Sequence, residues 1–278
     1  MDGRTLVIGG TGKTGRRVVQ RLEARGLPVR VGSRAGEPPF DWEDQATWAP
    51  ALRNTDAAYI TYHPDLALPG AAAAIMSFAE LAVESGVGRL VLLSGRGEEE
   101  AERCEQVVRD SGADWTILRS SWFSQNFSEN YLRDPVLGGE VVLPAGNVGE
   151  PFIDAEDIAD VAVAALTEDG HAGQLYELTG PGLLTFAEAV EEIAKATGRE
   201  IHYVQVSPEQ YASALAKQNV PAEYVWLLNY LFATVLDGRN AHLTDGVHRA
   251  LGRNPRDFSD YARDAAASGV WGGAGVPG

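Results

Sequence analysis

Short apolar runs alternate with helical patterns over the first two-thirds of the chain. The runs predict five strands, at Thr5–Ile8, Val29–Gly32, Ala57–Thr61, Arg89–Ser94 and Trp115–Arg119. Helical periodicity predicts helices between them, at about Gly12–Gly26, Gly70–Ser85 and Glu98–Ser111. Strands that alternate with helices favour right-handed βαβ crossovers, and uninterrupted apolar strands are typical of a sheet covered on both faces. We therefore predict an α/β fold with a Rossmann-type, doubly wound parallel sheet.

The pattern becomes less regular after Trp122. Short strands are predicted at Val141–Leu143, Phe152–Ile153 and Gln174–Leu178, and helices at about Ala155–Leu166, Thr185–Thr197, Pro208–Lys217, Ala222–Leu236, Leu243–Leu251 and Pro255–Ala267. Thr185 and Glu188 have the spacing of a capping box. We predict a Rossmann domain over residues 1–150 and a mixed segment over 151–271. Part of that segment completes the sheet, part forms a small α+β substrate-binding lobe, and a disordered tail follows over 272–278.

The composition narrows the class of protein. The 278 residues are 45% hydrophobic and 22% charged, as in ordinary globular proteins. The single cysteine, Cys104, excludes an internal disulfide, and the five histidines show no H-x-x-H or H-E-x-x-H spacing, so we expect no metal. A formal net charge of −16 without a basic stripe disfavours nucleic-acid binding.

We expect a cytoplasmic protein that does not bind membranes, because no signal peptide precedes the first strand. The longest apolar stretch, Leu66–Val83, contains Glu80 and glycine or proline breaks, so it predicts a buried helix and not a membrane span. The sequence leaves the oligomeric state open.

A glycine-rich loop joins the first strand to the first helix. Glycines at this position permit a tight turn and let the backbone approach a pyrophosphate, which the N–H groups and the dipole of the helix then hold. We predict a dinucleotide-binding loop, in which the contacts come from Gly9, Thr11, Gly12, Lys13, Thr14 and Gly15. The alternative is a glycine-rich turn without a ligand.

The end of the second strand indicates which dinucleotide binds. NAD-selective sites place an acidic residue there to bind the ribose 2′-hydroxyl. This chain has Ser33 and Arg34 instead, with no acid before Glu37. A guanidinium forms charge-assisted bonds with a 2′-phosphate, Ser33 can hydrogen-bond it, and Lys13 adds positive charge. We therefore predict NADP(H), the alternative being that Arg34 and Lys13 are solvated surface cations.

Several motifs together resemble one known family. They are GGTGKTG (9–15), VGSR (31–34), LSG (93–95), WTILR (115–119), WF (122–123) with Asn126, DAEDIA (154–159) and LTGP (178–181). The chain resembles the NmrA-like branch of the atypical short-chain dehydrogenases/reductases, which includes NADPH quinone oxidoreductase-like members. Segment 40–48, FDWEDQATW, is similar to the ergot-alkaloid dehydrogenases. The resemblance implies an NADP(H)-binding Rossmann domain with a small C-terminal substrate lobe, in a family of quinone, imine and enone reductases and non-catalytic sensors.

The chain departs from typical short-chain dehydrogenases in its acid–base residues. Those enzymes place a Tyr-x-x-x-Lys pair on the helix before the fifth strand, where the lysine lowers the pKa of the tyrosine. The predicted helix at 98–111 contains neither residue type, and Tyr211 and Lys217 lie six positions apart on a later helix. A quinone or iminium carbon accepts hydride without a strong protein acid, so we favour reduction of an activated acceptor.

The candidate catalytic residues follow from the position of ligands in open α/β sheets, beyond the carboxyl ends of the strands. Thr61 and Tyr62 are expected along the cofactor. The resemblance implies a catalytic serine at Ser94, which is also a candidate cofactor contact. Tyr62 and His63 are candidate proton donors. The alternatives are a turn hydrogen bond for Ser94, a loop tyrosine and a solvated histidine.

The candidate substrate residues follow the fourth and fifth strands. They are Arg96, Trp122, Phe123 and Asn126. The two aromatic side chains can form a wall for a planar substrate, and core packing is the alternative for both. The acidic run Glu98–Glu100 is interpreted as a helix N-terminus that complements the macrodipole, without a chemical role.

Three functions are compatible with these features. The favoured one is an NADPH-dependent reductase that transfers hydride to a small quinone, enone or imine in secondary metabolism. The missing Tyr–Lys pair motivates the second, an NADP(H)-sensing regulator without turnover. The third is a non-redox isomerase or cyclase on the same fold.

Overall fold

The computed structural model describes residues 3–272, which form two compact units. The first, called the sheet unit here, contains the chain up to Ser120 together with Ala155–Leu178 and Asp245–Asn254. The second unit contains Ser121–Asp154, Thr179–Thr244 and the chain from Pro255 onward. Residues 121–150 therefore lie in the second unit, and a domain division at residue 150 stays a prediction. The predicted tail at 272–278 lies, except for Gly272, outside the described residues.

The strands form two parallel sheets. Numbered along the chain, they are β1 (Arg4–Ile8), β2 (Val29–Gly32), β3 (Thr55–Ile60), β4 (Arg89–Gly95), β5 (Asp114–Ser120), β6 (Glu140–Leu143), β7 (Gln174–Leu178) and β8 (His202–Gln205). Six strands in the order β2-β1-β3-β4-β5-β7 make the sheet unit, and β6 pairs with β8 in the second unit. The strand order reverses between β1 and β3, which is where open α/β sheets bind their ligands. The predicted Rossmann-type α/β fold is confirmed.

Twelve α-helices accompany the strands in the described part of the chain. They are α1 (Gly15–Ala24), α2 (Trp48–Leu52), α3 (Ala71–Glu84), α4 (Glu99–Arg109), α5 (Asn126–Glu129), α6 (Arg133–Gly138), α7 (Ala155–Thr167), α8 (Phe186–Thr197), α9 (Pro208–Lys217), α10 (Ala222–Tyr230), α11 (Gly246–Leu251) and α12 (Phe258–Ala267). A short 3₁₀ turn spans Gln45–Thr47, and a π-helical turn spans Leu231–Val235. Within residues 3–272, no helix is long and apolar enough to cross a membrane.

The sheet has an apolar core on the face that α2, α3 and α4 cover. The central strands contribute their alternate residues to this core, namely Leu6, Ile8, Ala58, Ile60, Leu90 and Leu92, each buried. Phe78 and Ile75 of α3 and Cys104 of α4 pack against them. Burial of a large apolar side chain contributes about 1.5–3 kcal/mol, so this cluster is a main source of the stability of the sheet unit.

Helix α1 is tied to α7 by a ladder of ion pairs within the sheet unit. Arg17 Nε lies 2.5 Å from Glu156, and Arg21 Nε lies 2.6 Å from Asp160. Arg253 adds a further pair, 2.6 Å from the buried Asp157. The ladder restrains the helix that begins at the glycine loop.

The second unit has an aromatic core. Phe127, Phe152, Phe186 and Phe258 contact one another with ring centroids 5.1–6.0 Å apart. The capping box predicted at Thr185 is confirmed at the start of α8. The Thr185 hydroxyl accepts the Glu188 N–H, and the Glu188 carboxylate accepts the Thr185 N–H. These contacts give the second unit a core of its own.

The local structure of the second unit departs from the predictions in three places. The helix predicted over Ala222–Leu236 is helical as far as Val235, as an α-helix to Tyr230 and then as the π-helical turn. The strand expected at Phe152–Ile153 is only a bridge between Phe123 and Ile153. Strand β8 was not expected, because its residues are largely exposed and carry no alternating apolar pattern.

Candidate functional site

The glycine loop is shaped by close backbone contacts that exclude side chains. Gly9 has a φ of 67°, and a Cβ atom there would lie 2.3 Å from the Thr61 hydroxyl. That hydroxyl donates a hydrogen bond of 3.0 Å to the carbonyl of Ile8, so Thr61 holds the residue that precedes the loop. A Cβ at Gly15 would lie 2.2 Å from the carbonyl oxygen of Gly9. The first and last glycines of the motif are therefore both required by the backbone.

The start of α1 suits an anion. Thr14 precedes the helix and makes no side-chain capping bond, and the first turn of α1 contains no acidic residue. Gly12 N–H donates to Gly9 O at 2.8 Å, which folds the loop over the helix N-terminus. The loop offers a pyrophosphate four glycine positions without Cβ atoms, an uncapped helix end and no carboxylate in the first turn, and these features fit the dinucleotide.

The residues after β2 are arranged around the Ser33 carbonyl. That oxygen accepts the N–H groups of Gly36 at 3.0 Å and Phe40 at 2.9 Å, which fixes the turn. The Arg34 side chain is exposed, and no hydrogen bond or ion pair within residues 3–272 holds its guanidinium. Arg34 is therefore available to an anionic ligand. The assignment of Ser33, Arg34 and the loop residues to the cofactor stays a prediction.

Tyr62 and His63 lie after β3. The Tyr62 ring packs 5.0 Å from the Trp42 ring, and the Trp42 indole donates to the Thr61 carbonyl at 3.0 Å. Burial, together with the neighbouring Cys104 and Glu43, raises the pKa of Tyr62. His63 is exposed at the same edge. Tyr62 is thus a phenol that holds its proton, not one activated by a nearby lysine, and the roles of both residues stay predictions.

Ser94 belongs to a row of polar groups across three strands, in which Ser94 is buried and Arg119 and Glu177 are half-buried. Its hydroxyl donates to Glu105 of α4 at 2.7 Å. Its neighbour in register on β5 is Arg119, which also binds Glu105, through Nε at 2.8 Å. The next residue in the row is Glu177 on β7, 3.2 Å from Arg119 and 3.7 Å from the Arg96 guanidinium. Both Ser94 and Arg96 therefore have internal partners.

Glu105 is the centre of this row and was missed in the sequence analysis. Its side chain is 2% exposed, and the hydrogen bonds it accepts raise the pKa of Arg119. A buried carboxylate of this kind needs several donors to offset its desolvation. The only hint in the sequence is an acid on the apolar face of an amphipathic helix, opposite an arginine on the adjacent strand.

The three candidates on the segment after β5 lie in the second unit. The Trp122 ring contacts Phe186 edge-on at 5.1 Å and Phe232 at 4.9 Å, so it is partly a core residue. Phe123 forms the bridge with Ile153, and Asn126 begins α5, where its N–H donates to the Phe123 carbonyl at 3.0 Å. Contacts of these side chains with a substrate stay predictions.

Metal and thiol chemistry find no support in the described chain. Within residues 3–272, no group of three histidine, cysteine, aspartate or glutamate side chains is arranged to hold a metal ion. Burial raises the pKa of the Cys104 thiol to about 12, so it stays protonated at neutral pH.

Comparison with known proteins agrees with this geometry. A family model described as NAD(P)H-binding matches residues 9–169. The agroclavine dehydrogenase of Claviceps fusiformis is 31% identical over 282 residues, covering 93% of this chain and 96% of that protein. The NAD(P)H azoreductase of Xenophilus azovorans is 32% identical over 286 residues, covering 95% of this chain and 98% of that protein.

A solved structure shows the same fold. The crystal structure of triphenylmethane reductase from Citrobacter sp., complexed with NADP(H), has a TM-score of 0.75 and covers 94% of this chain and 99% of that one. The two sequences are 19% identical, so this likeness concerns the fold alone.

The first testable consequence concerns Gly15. We expect Gly15→Ala to weaken NADPH binding by about tenfold or more, or at least about 1.4 kcal/mol, because the new Cβ pushes the Gly9 carbonyl out of the loop. Titration calorimetry measures the change. Gly182→Ala is the matched control, since a Cβ at position 182 meets no atom within 4 Å. Equal affinities for the two variants would contradict the role of Gly15.

The second testable consequence concerns Glu105, the centre of the polar row. We expect Glu105→Ala to lower the free energy of unfolding by about 3–5 kcal/mol, because Arg119 loses its buried partner. Glu102→Ala removes an exposed carboxylate 3.8 Å from the same arginine, so we expect a change within about 0.5 kcal/mol. Urea denaturation followed by circular dichroism compares them, and a small effect of the first substitution would show that the row is not structural.

Proposed function

The chain belongs to the NAD(P)H-binding family, and from this premise we propose that it is an NADPH-dependent reductase that transfers hydride to an activated small-molecule acceptor. The glycine loop carries the proposal, because Gly9 and Gly15 leave no room for side chains between β1 and α1. When bound, the reduced nicotinamide supplies the hydride. The chain supplies the anion-binding helix end and the position of the acceptor.

The preference for NADP(H) rests on charge at the end of β2. Arg34 is exposed and held by no described residue, and the strand is followed by no acid before Glu37. A 2′-phosphate gains charge-assisted bonds from a guanidinium, and a ribose hydroxyl gains less. Ser33 and Lys13 complete the proposed phosphate site.

The class of acceptor follows from the acid–base groups near the strand ends. Helix α4 contains neither a tyrosine nor a lysine, and the Ser94 hydroxyl donates to Glu105. Helix α4 thus supplies no tyrosine–lysine pair to polarise a simple ketone. We propose quinones, enones and imines, whose carbon already demands electrons, and the relatives named for azo reduction and for agroclavine dehydrogenation support this class. A role in secondary metabolism is part of the proposal.

The proposed substrate contacts come from side chains at the strand ends. Tyr62 and His63 follow β3, and Trp122 offers a half-buried indole face for a planar molecule. Arg96 has Glu177 as an internal partner, so it neutralises the polar row more than it attracts an anionic substrate.

Selectivity for the 2′-phosphate is tested at Arg34. We expect Arg34→Ala to weaken NADPH binding by about 1.5–3 kcal/mol, roughly 10- to 150-fold, and to leave NADH binding unchanged. Arg53→Ala is the control, because this exposed arginine precedes β3 and therefore lies at the amino ends of the strands, whereas Arg34 lies at their carboxyl ends. Calorimetry with both cofactors distinguishes the outcomes, and an equal loss for NADPH and NADH would refute 2′-phosphate recognition.

Turnover is tested with NADPH deuterated at the nicotinamide C4 position. We expect cofactor oxidation and one deuterium in the product with at least one of a quinone, an enone and a cyclic iminium. Tight cofactor binding without turnover, and with different affinities for NADP⁺ and NADPH, would support a sensor instead. Conversion of a substrate without deuterium transfer would support an isomerase or cyclase.

A further inference from the structure

Three charged residues follow three adjacent strands at the carboxyl edge of the sheet. Lys13 follows β1, Asp65 follows β3 and Glu98 follows β4. The three groups therefore lie at the end of the sheet where α/β folds bind their ligands, and Asp65 is electrostatically linked to both of the others.

The Glu98 carboxyl is packed on Gly95. A Cβ at Gly95 would lie 2.1 Å from Glu98 Oε1 and 2.3 Å from its carboxyl carbon, so a side chain at position 95 requires the Glu98 carboxyl to move. Glu98 precedes α4 but makes no side-chain capping bond to it. Within residues 3–272, no hydrogen bond or ion pair reaches this carboxyl. Glu98 was expected to complement the helix dipole, and the acidic residues in the first turn of α4 are Glu99, Glu100 and Glu102.

The charges around Glu98 favour its protonated form. Desolvation, the Asp65 carboxylate and the Glu105 carboxylate raise its pKa well above the usual range. Cys104 is the other titratable neighbour, and it stays protonated. Burial also raises the pKa of Asp65, but the Ala67 N–H that it accepts at 2.9 Å and the Lys13 ammonium oppose this rise, whereas no such group lowers the pKa of Glu98. When two carboxyl groups share a site, one of them keeps a proton, and these contacts assign the proton to Glu98.

We propose that Glu98 is the proton donor for acceptors that need a proton as well as a hydride, with Asp65 as a positioning residue. The inference rests on the proposed reductase function. The observations that carry it are the carboxyl packed on Gly95, its lack of a hydrogen-bond partner among the described residues, and its place after β4 at the end of the sheet where the glycine loop lies. A neutral enone or a neutral imine is the class of substrate that requires this group.

Reduction of an enone takes up one hydride and one proton. Hydride from NADPH forms a new C–H bond at the β-carbon, and the C=C electron pair moves toward the carbonyl oxygen. The Glu98 O–H bond breaks, and its proton neutralises the enolate that results. Glu98 is left as a carboxylate and regains a proton from water. A cationic iminium or a triarylmethyl cation takes up hydride alone and becomes neutral, so it needs no proton from the protein.

The test compares these two kinds of acceptor in Glu98→Gln. We expect kcat for the neutral enone to fall by about 10²- to 10⁴-fold, the usual contribution of a general acid. We expect kcat for an N-methylated iminium, and the dissociation constant of NADPH, to stay unchanged. Glu99→Gln is the matched control, because it neutralises an exposed carboxylate at the next position. Equal losses for both acceptors in Glu98→Gln would overturn the proposal, and so would no loss for either.

Two further readouts keep the test independent of folding and of turnover. Infrared difference spectra of the cofactor-free protein should show a protonated carboxyl band that Glu98→Gln lacks, and a band that persists in this variant would overturn the assignment of the proton. Gly95→Ala displaces the Glu98 carboxyl without removing it, and it should show the same selective loss with the enone. Gly95→Ala with full enone activity would contradict the proposal.

The pH dependence of the rate tests which protonation state of Glu98 is active. The protonated form of Glu98 is the active one, so the wild-type rate with the enone should fall as the pH rises through the Glu98 pKa. The rate with the iminium should not show this fall, and neither should the enone rate of Glu98→Gln. Failure of the wild-type protein with both acceptors would refute the proposed reductase function, whereas wild-type turnover with an indifferent Glu98 would refute only the proton donor.

Discussion

The contact between the backbones of Gly9 and Gly15 is the constraint on which the rest of the site depends. It sets how α1 leaves β1, and therefore where the uncapped end of the helix points. Thr61, the residue that follows β3, reinforces the contact, since its hydroxyl donates to the Ile8 carbonyl and lies against Gly9. The ion pairs between α1 and α7 then restrain the far part of the same helix. An anion site made of backbone groups needs this rigidity, because its N–H donors cannot adjust as flexible side chains do.

A second constraint is the polar row from Ser94 through Arg119 to Glu177. Buried charges of this kind are costly unless every group has partners, and Glu105 satisfies Ser94 and Arg119 together. The consequence for chemistry is direct, because a serine whose hydroxyl donates to a buried carboxylate is poorly placed to polarise a substrate carbonyl. Ser94 therefore has a structural role in the row, and the proposed proton donor is a different group, Glu98.

The sequence was sufficient for features set by local pattern. Apolar runs located the strands of the large sheet, the glycine spacing located the loop, and Thr185 with Glu188 marked the start of α8. It was insufficient for features set by neighbours distant in the chain. In the sequence, Glu98 is one acid of a run, and only the order of the strands places it at the same end of the sheet as Asp65. The strand β8 was missed because an exposed strand carries no apolar alternation. The chain also returns to the sheet unit at Ala155 and Asp245, which no composition shift marks.

The formal charge of −16 raises the question of how this protein binds a polyanion. Screening limits surface charges to about 8 Å at physiological ionic strength, so the groups next to the ligand decide the binding. Glu156 on α7 is paired with Arg17 and Arg21 of α1. Arg34 is exposed and held by no described residue. Arg34 therefore offers a positive charge to an anionic ligand although the molecule is negative. The same reasoning disfavours anionic acceptors, since Arg96 already faces Glu177, and it favours neutral or cationic ones, the two kinds that a proton donor at Glu98 would distinguish.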